Sequence, residues 1–94
     1  MIKGFASGET EGLFRGRSSR RLPADLQRRA LQKLLAIHAA ADLDELGRIP
    51  GNRLEKLKAD RAGRHSLRIN DRWRICFAWR AGDAYEVEIV DYHR

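Results

Sequence analysis

Ninety-four residues, 43% of them hydrophobic, can supply one core, while 19 Lys plus Arg against 13 Asp plus Glu leave a net charge of +6. A chain of this length buries roughly 60–65% of its unfolded surface, so residues 1–94 are expected to fold as a single domain without metals or disulfides. The lone Cys76 rules out an internal disulfide, no C-x-x-C or His–Cys cluster offers metal ligands, and no apolar run approaches the roughly 20 residues that span a bilayer. No cofactor and no membrane partner are expected, and a reducing, cytoplasmic compartment fits. A pI near 10.2 favours a polyanion, with nucleic acid the first choice of partner.

In chain order, Ile2 to Phe5 reads as a short strand. A helix over Gly8 to Arg15 follows, with Ser7 as N-cap and Glu9 and Glu11 in the first turn, where the helix dipole favours acids. The run Arg15 to Arg21 breaks the pattern. The main helix is expected to begin with Pro23 at its first position, and Leu26, Ala30, Leu34, Ile37 and Ala41 give it one face to bury. Asp42 can cap a further turn that ends at Gly47, and Pro50–Gly51 has turn composition. From Arg53 to Asp91, the pairs Asn70–Asp71 and Gly82–Asp83 separate strand-like runs into a meander of antiparallel hairpins. The order predicts an α+β domain in which an N-terminal strand and two helices pack on one face of an antiparallel sheet.

Alternation with period two divides the sheet residues. Leu67, Ile69, Trp73, Ile75, Phe77 and Trp79 share one face, and Arg64, Ser66, Arg68 and Arg74 share the other. One face is core and the other is suited to anions. Trp73, Phe77 and Trp79 read as core rather than as a base-stacking platform, His38 reads as structural, and His65 as partly buried and hydrogen-bonded. Lys58 and Arg74 can both reach one phosphate, the arginine as a planar fork and the lysine as a point charge. Glu55 reads either as a proton acceptor or as a member of a surface ion pair. The closing Asp91–Tyr92–His93 reads either as a proton-transfer group or as a frayed polar tail. Arg17, Arg20, Arg21, Arg28 and Arg29 either steer RNA or form a solvated face, and Arg64 and Arg68 extend the basic surface.

Several stretches then point to one family: Pro50-Gly-Asn-Arg53-Leu, Leu57-Lys58-x-Asp60-Arg61-x-Gly63, Ser66-x-Arg68-Ile-Asn70-Asp71-x-Trp73-Arg74-Ile-Cys-Phe77 and Asp91-Tyr92-His93. Together with Met1-Ile-Lys and Phe5, they span essentially the whole chain. The pattern resembles the HigB branch of the RelE/ParE toxin superfamily, also called plasmid-maintenance killer proteins. The resemblance implies a microbial-RNase-like α+β fold and the toxin half of a type II toxin–antitoxin pair. It also implies cleavage of messenger RNA in the ribosomal A site, and a helix-turn-helix antitoxin of the HigA type as partner.

Carried over residue by residue, Lys58, Arg74, Asp91, Tyr92 and His93 match the family's active site. Glu55 departs, because well-studied members have a histidine there. On this reading the substrate's 2′-hydroxyl attacks phosphorus without a metal. Lys58 and Arg74 neutralise the phosphorane, Glu55 is the base and His93 the acid. Asp91 holds the histidine, and Tyr92 orients the ribose or stacks on a base. The reverse assignment, with His93 as base, stays open. The alternative is a ParE-like toxin that inhibits DNA gyrase and cleaves nothing.

Overall fold

The computed structural model describes residues 1–57 and 63–92. Lys58 and His93 lie outside them. Helix α1 (Gly8–Phe14) starts where Ser7 Oγ accepts from the Thr10 amide, with Glu9 and Glu11 in its first turn. Helix α2 (Ala24–Ala39) carries the long apolar stripe, and Leu26, Ala30, Leu34 and Ile37 are buried along it. Two expectations shift here. Pro23 is the N-cap rather than the first helical residue, and the stripe ends at buried Ala40, since Ala41 lies exposed beyond the helix. Helix α3 (Leu43–Gly47) is the expected short turn, with Asp42 Oδ1 accepting from the Glu45 amide.

Four strands follow in a meander: β1 (Glu55–Lys56), β2 (Arg64–Arg68), β3 (Trp73–Arg80) and β4 (Asp83–Asp91), paired antiparallel in that order. Asn70 shapes the β2–β3 loop by accepting at Oδ1 from the amides of Arg72 and Trp73. The β3–β4 turn falls one residue earlier than Gly82–Asp83. Ala81 and Gly82 occupy its centre with φ of 51° and 84°, the two positive values that a tight primed hairpin turn requires, and Asp83 already belongs to β4. The expected N-terminal strand forms as two parallel bridges, Ile2 to Ala84 and Phe5 to Val87, along the free edge of β4.

The helices cover one face of the sheet. Leu34, Ile37 and Leu26 of α2 share a core with Leu67, Ile75, Phe77 and Val87. Thr10 of α1 is buried and its hydroxyl accepts from the Ile89 amide at 3.0 Å, which ties that helix to β4. His38 is structural, as expected: its Nδ1 accepts from the Ile2 amide at 3.1 Å and its ring packs 5.3 Å from Phe14.

A bulge in β4 sets which side chains reach the opposite face. Cys76 pairs with Glu88 and Ala78 with Tyr85, so Glu86 and Val87 together oppose Phe77. Glu86 takes a positive φ of 52° there. The extra residue lets Ala84 and Val87, three apart, both bury in the core while Tyr85 and Glu88 share the polar face.

Candidate active site

The strand register assembles a row of side chains across the polar face. Glu55 opposes Ser66, Ser66 opposes Cys76, and Cys76 opposes Glu88; one step along, Arg68 opposes Arg74. Directly opposed residues on one face have Cβ atoms about 4.5–5.5 Å apart, so these groups can touch one another. The row is partly closed to water, because Ser66 and Cys76 are buried beneath it.

Arg74 is its centre. The side chain is only 15% exposed, and Nη1 meets Glu55 Oε1 at 3.1 Å, while the Glu55 side chain is 62% exposed. The guanidinium lies 5.4 Å from the centroid of the Tyr92 ring. Arg74 Nε is buried and has no hydrogen-bond partner among the described residues. Tyr92 in turn places its hydroxyl 3.7 Å from Cys76 Sγ. A guanidinium lined by an aromatic ring and faced by one exposed carboxylate is well placed to exchange that carboxylate for a phosphate oxygen.

Three candidates are therefore brought together: Glu55, Arg74 and Tyr92. Asp91 projects on the other side, with Ile89 and Trp73, where Arg72 grips both of its carboxylate oxygens through Nε and Nη2 at 2.8–3.0 Å. That pairing raises the Arg72 pKa, and the Arg72 guanidinium also covers Trp73 at 5.3 Å. The basic group divides likewise. Arg64 and Arg68 stand half-buried on the sheet, Arg64 within 3.7 Å of Glu86 and Glu88 and Arg68 bound to Asp71. The arginine at 68 holds the Asp71 carboxyl below its ordinary pKa, chiefly through that hydrogen bond. Arg17, Arg20, Arg21, Arg28 and Arg29 are exposed on α2 and the loop before it. Gln27 pins that loop by bonding the backbone of Ser19 and Leu22. Arg17 and Arg28 border a groove of about 170 Å³ floored by Leu13 and Leu31.

Sequence reasoning missed Cys76 and Arg72. The cysteine shares the period-two face of Arg74, a signal that was available, whereas Arg72 acts through a loop geometry that spacing does not encode. His65 is half-buried, as expected, with its ring 5.9 Å from Phe77, but its side chain makes no hydrogen bond among the described residues; burial lowers its pKa ahead of the charge of Lys56.

A family model described as the RelE-like toxin HigB of type II toxin–antitoxin systems matches residues 4–93. The chain belongs to the HigB-like toxin family. It is 37% identical to Endoribonuclease HigB of Proteus vulgaris over 93 residues, covering 99% of this chain and 100% of that protein. It is 34% identical to Toxin HigB-1 of Vibrio cholerae over 75 residues, covering 80% and 78% of the two. Two solved structures share the α+β fold at low identity. Escherichia coli YafQ superposes with a TM-score of 0.56 at 10% identity, covering 97% of this chain and 93% of its own. The YoeB–YefM complex of Staphylococcus aureus gives 0.55 at 18% identity, covering 100% and 99%. Membership makes this toxin one half of a toxin–antitoxin pair, so an antitoxin is its partner. No helix among the described residues is long and apolar enough to cross a membrane.

Proposed function

We propose that the toxin is a ribosome-dependent endoribonuclease that cleaves messenger RNA in the A site without a metal ion and so halts translation in the cytoplasm. A helix-turn-helix antitoxin is proposed as the partner that restrains it. The observation that carries this reading is the meeting of Glu55, Arg74 and Tyr92 on one polar row, in a chain whose full-length relative is named an endoribonuclease.

The scissile phosphate enters at Arg74 and displaces the Glu55 carboxylate from its guanidinium. Glu55, freed beside the ribose, takes the proton of the 2′-hydroxyl as that oxygen attacks phosphorus. The negative charge that develops on the phosphoryl oxygens falls on Arg74, with Lys58 as second cation, and a well-placed donor of this kind contributes about 2.7–4 kcal/mol. The 5′-oxygen leaves with a proton from His93, giving a 2′,3′-cyclic phosphate and a free 5′-hydroxyl. Tyr92, whose ring centroid lies 5.4 Å from the Arg74 guanidinium, orients the ribose or stacks on a base. The ribosome holds the messenger in line, and such positioning supplies roughly 7–11 kcal/mol. Arg17, Arg20, Arg21, Arg28 and Arg29, with Arg64 and Arg68, meet RNA outside the reacting bond. In this reading residues 1–94 act as a single domain, and a row of ionisable side chains suits proton transfer better than simple gyrase binding would require.

The assignment of Glu55 is tested by Glu55→Gln. It should lower the cleavage rate by about 10²–10⁴-fold with little change in RNA affinity, and Glu55→His should regain part of the loss with a shifted pH optimum. An unchanged rate in the Gln variant would move the base role to His93. In cells, growth arrest with rapid messenger loss is expected; DNA damage and an SOS response would instead favour a gyrase poison.

A further inference from the structure

A second patch of positive charge lies where α2 meets the edge of the sheet just before β1. Asn52 organises it from the core. Its residue is 1% exposed, its backbone carbonyl accepts from the Arg68 amide at 2.7 Å, and its side-chain Nδ2 donates to the Leu46 carbonyl at 3.0 Å. The remaining oxygen, Oδ1, accepts from Lys33 Nζ. The Arg68 amide and the Leu46 carbonyl, with the Ile49 carbonyl that accepts from the Asn52 amide, hold this buried residue in place independently of the lysine, so Oδ1 is a fixed anchor for Nζ. Lys33 stands one helical turn beyond Arg29, on the side of α2 that faces the β2 end.

Two of the charges that act on Lys33 are of its own sign. Burial first, then the nearby charges of Arg29 and Arg68, push its pKa below the ordinary lysine value. The carboxylate that pairs within this patch is Asp71, whose exposed side chain binds Arg68 and also feels Arg53 and Arg74. Fixing an ammonium in a half-buried place among cations costs Coulomb and desolvation energy that an arriving anion would offset. The patch is continuous with the catalytic row, because Arg68 is the cross-strand partner of Arg74.

We propose that Lys33, together with Arg29 and Arg68, forms a second phosphodiester-binding site. It takes an RNA backbone phosphate beside the one at Arg74, with Asn52 as the residue that positions Lys33. The site deepens the reading of RNA as substrate and links the arginines of α2 to those of the sheet into one track. Its ligand is an RNA phosphate, drawn either from the messenger or from ribosomal RNA.

The test measures binding against salt concentration for two probes, a 2′-O-methyl oligoribonucleotide that cannot be cleaved and vacant ribosomes. Lys33→Met keeps the apolar stem and removes the charge. It should flatten the log–log salt dependence by about 0.7, the value for one single-strand phosphate contact, and Lys33→Arg should restore most of it. A loss seen with the oligonucleotide assigns the phosphate to the messenger, and a loss confined to ribosomes assigns it to ribosomal RNA. Wild-type slopes with both probes would overturn the site. Asn52→Ala should flatten the slope equally and add nothing when combined with Lys33→Met; lower thermal stability with a full slope would make Asn52 a structural residue only. Because both probes report binding, a toxin that binds with full slope yet cleaves no messenger would defeat the nuclease reading while leaving this site standing.

Discussion

The two faces of the same strands obey different rules. On the face toward α2, Ile75 and Phe77 are fully buried with Leu67 and Val87, and each apolar group is satisfied by its neighbours. On the face between them in sequence, Arg74 and Cys76 alternate with those residues, and there a nearly buried guanidinium is matched by one exposed carboxylate. The core face is closed to further partners. The polar face is held in place by the core yet retains charge for something that arrives later, which is how a small domain can be stable and still carry a reactive surface.

Mutations should separate the faces. The largest effect on folding is expected from Phe77→Ala, which removes the largest fully buried side chain and should cost about 3–5 kcal/mol, read as the midpoint of urea unfolding. Toxicity would fall only in proportion to the loss of folded protein. Arg74→Met should do the reverse. It retains an apolar stem of similar length and removes the charge that faces Tyr92 and Glu55, so cleavage should drop by about 10²–10³-fold while the unfolding midpoint changes little. A folded Arg74→Met protein with wild-type cleavage would erase the distinction between the faces.

The smallest effect lies at the border, at His65. Its folded-state pKa is lowered, first by burial and then by Lys56. The unfolded chain therefore takes up this proton first as pH falls. Stability is full above the unfolded value of about 6.5, declines as pH drops from there toward the lower folded value, and then levels off. His65→Gln should remove that part of the decline between pH 7.5 and 5.5, measured as the difference in thermal midpoint. An identical decline in the variant would place its source elsewhere.

The core face was legible because its signal is periodic. Leu26, Ala30, Leu34 and Ile37 mark a helix, and Leu67, Ile75 and Phe77 mark strands, by spacing alone. Ser7 and Asp42 announced two helix starts through their capping chemistry. The β4 bulge was not legible, because Ala84 and Val87 break period two and the backbone strain at Glu86 leaves no trace in residue type. On the polar face, shared parity placed Arg74 with Arg64 and Arg68. Pairings across 19 residues were beyond it, whether Glu55 with Arg74, Arg72 with Asp91 or Lys33 with Asn52. Such contacts depend on register, loop shape and the way a helix lies on a sheet, and these are properties of the assembled chain.

The central claim is that a charged row supplies proton transfer and charge neutralisation while the ribosome supplies alignment. It is tested most directly by incubating the toxin with one end-labelled messenger, free and in programmed ribosomes with an empty A site. A second messenger carries a single 2′-deoxynucleotide on the 5′ side of the cleaved bond. The account predicts a cut in the A site of the ribosome-bound messenger, little cleavage of the free one, and none at the 2′-deoxy position. Equal cleavage of free and bound messenger, or a cut that ignores the missing hydroxyl, would contradict it.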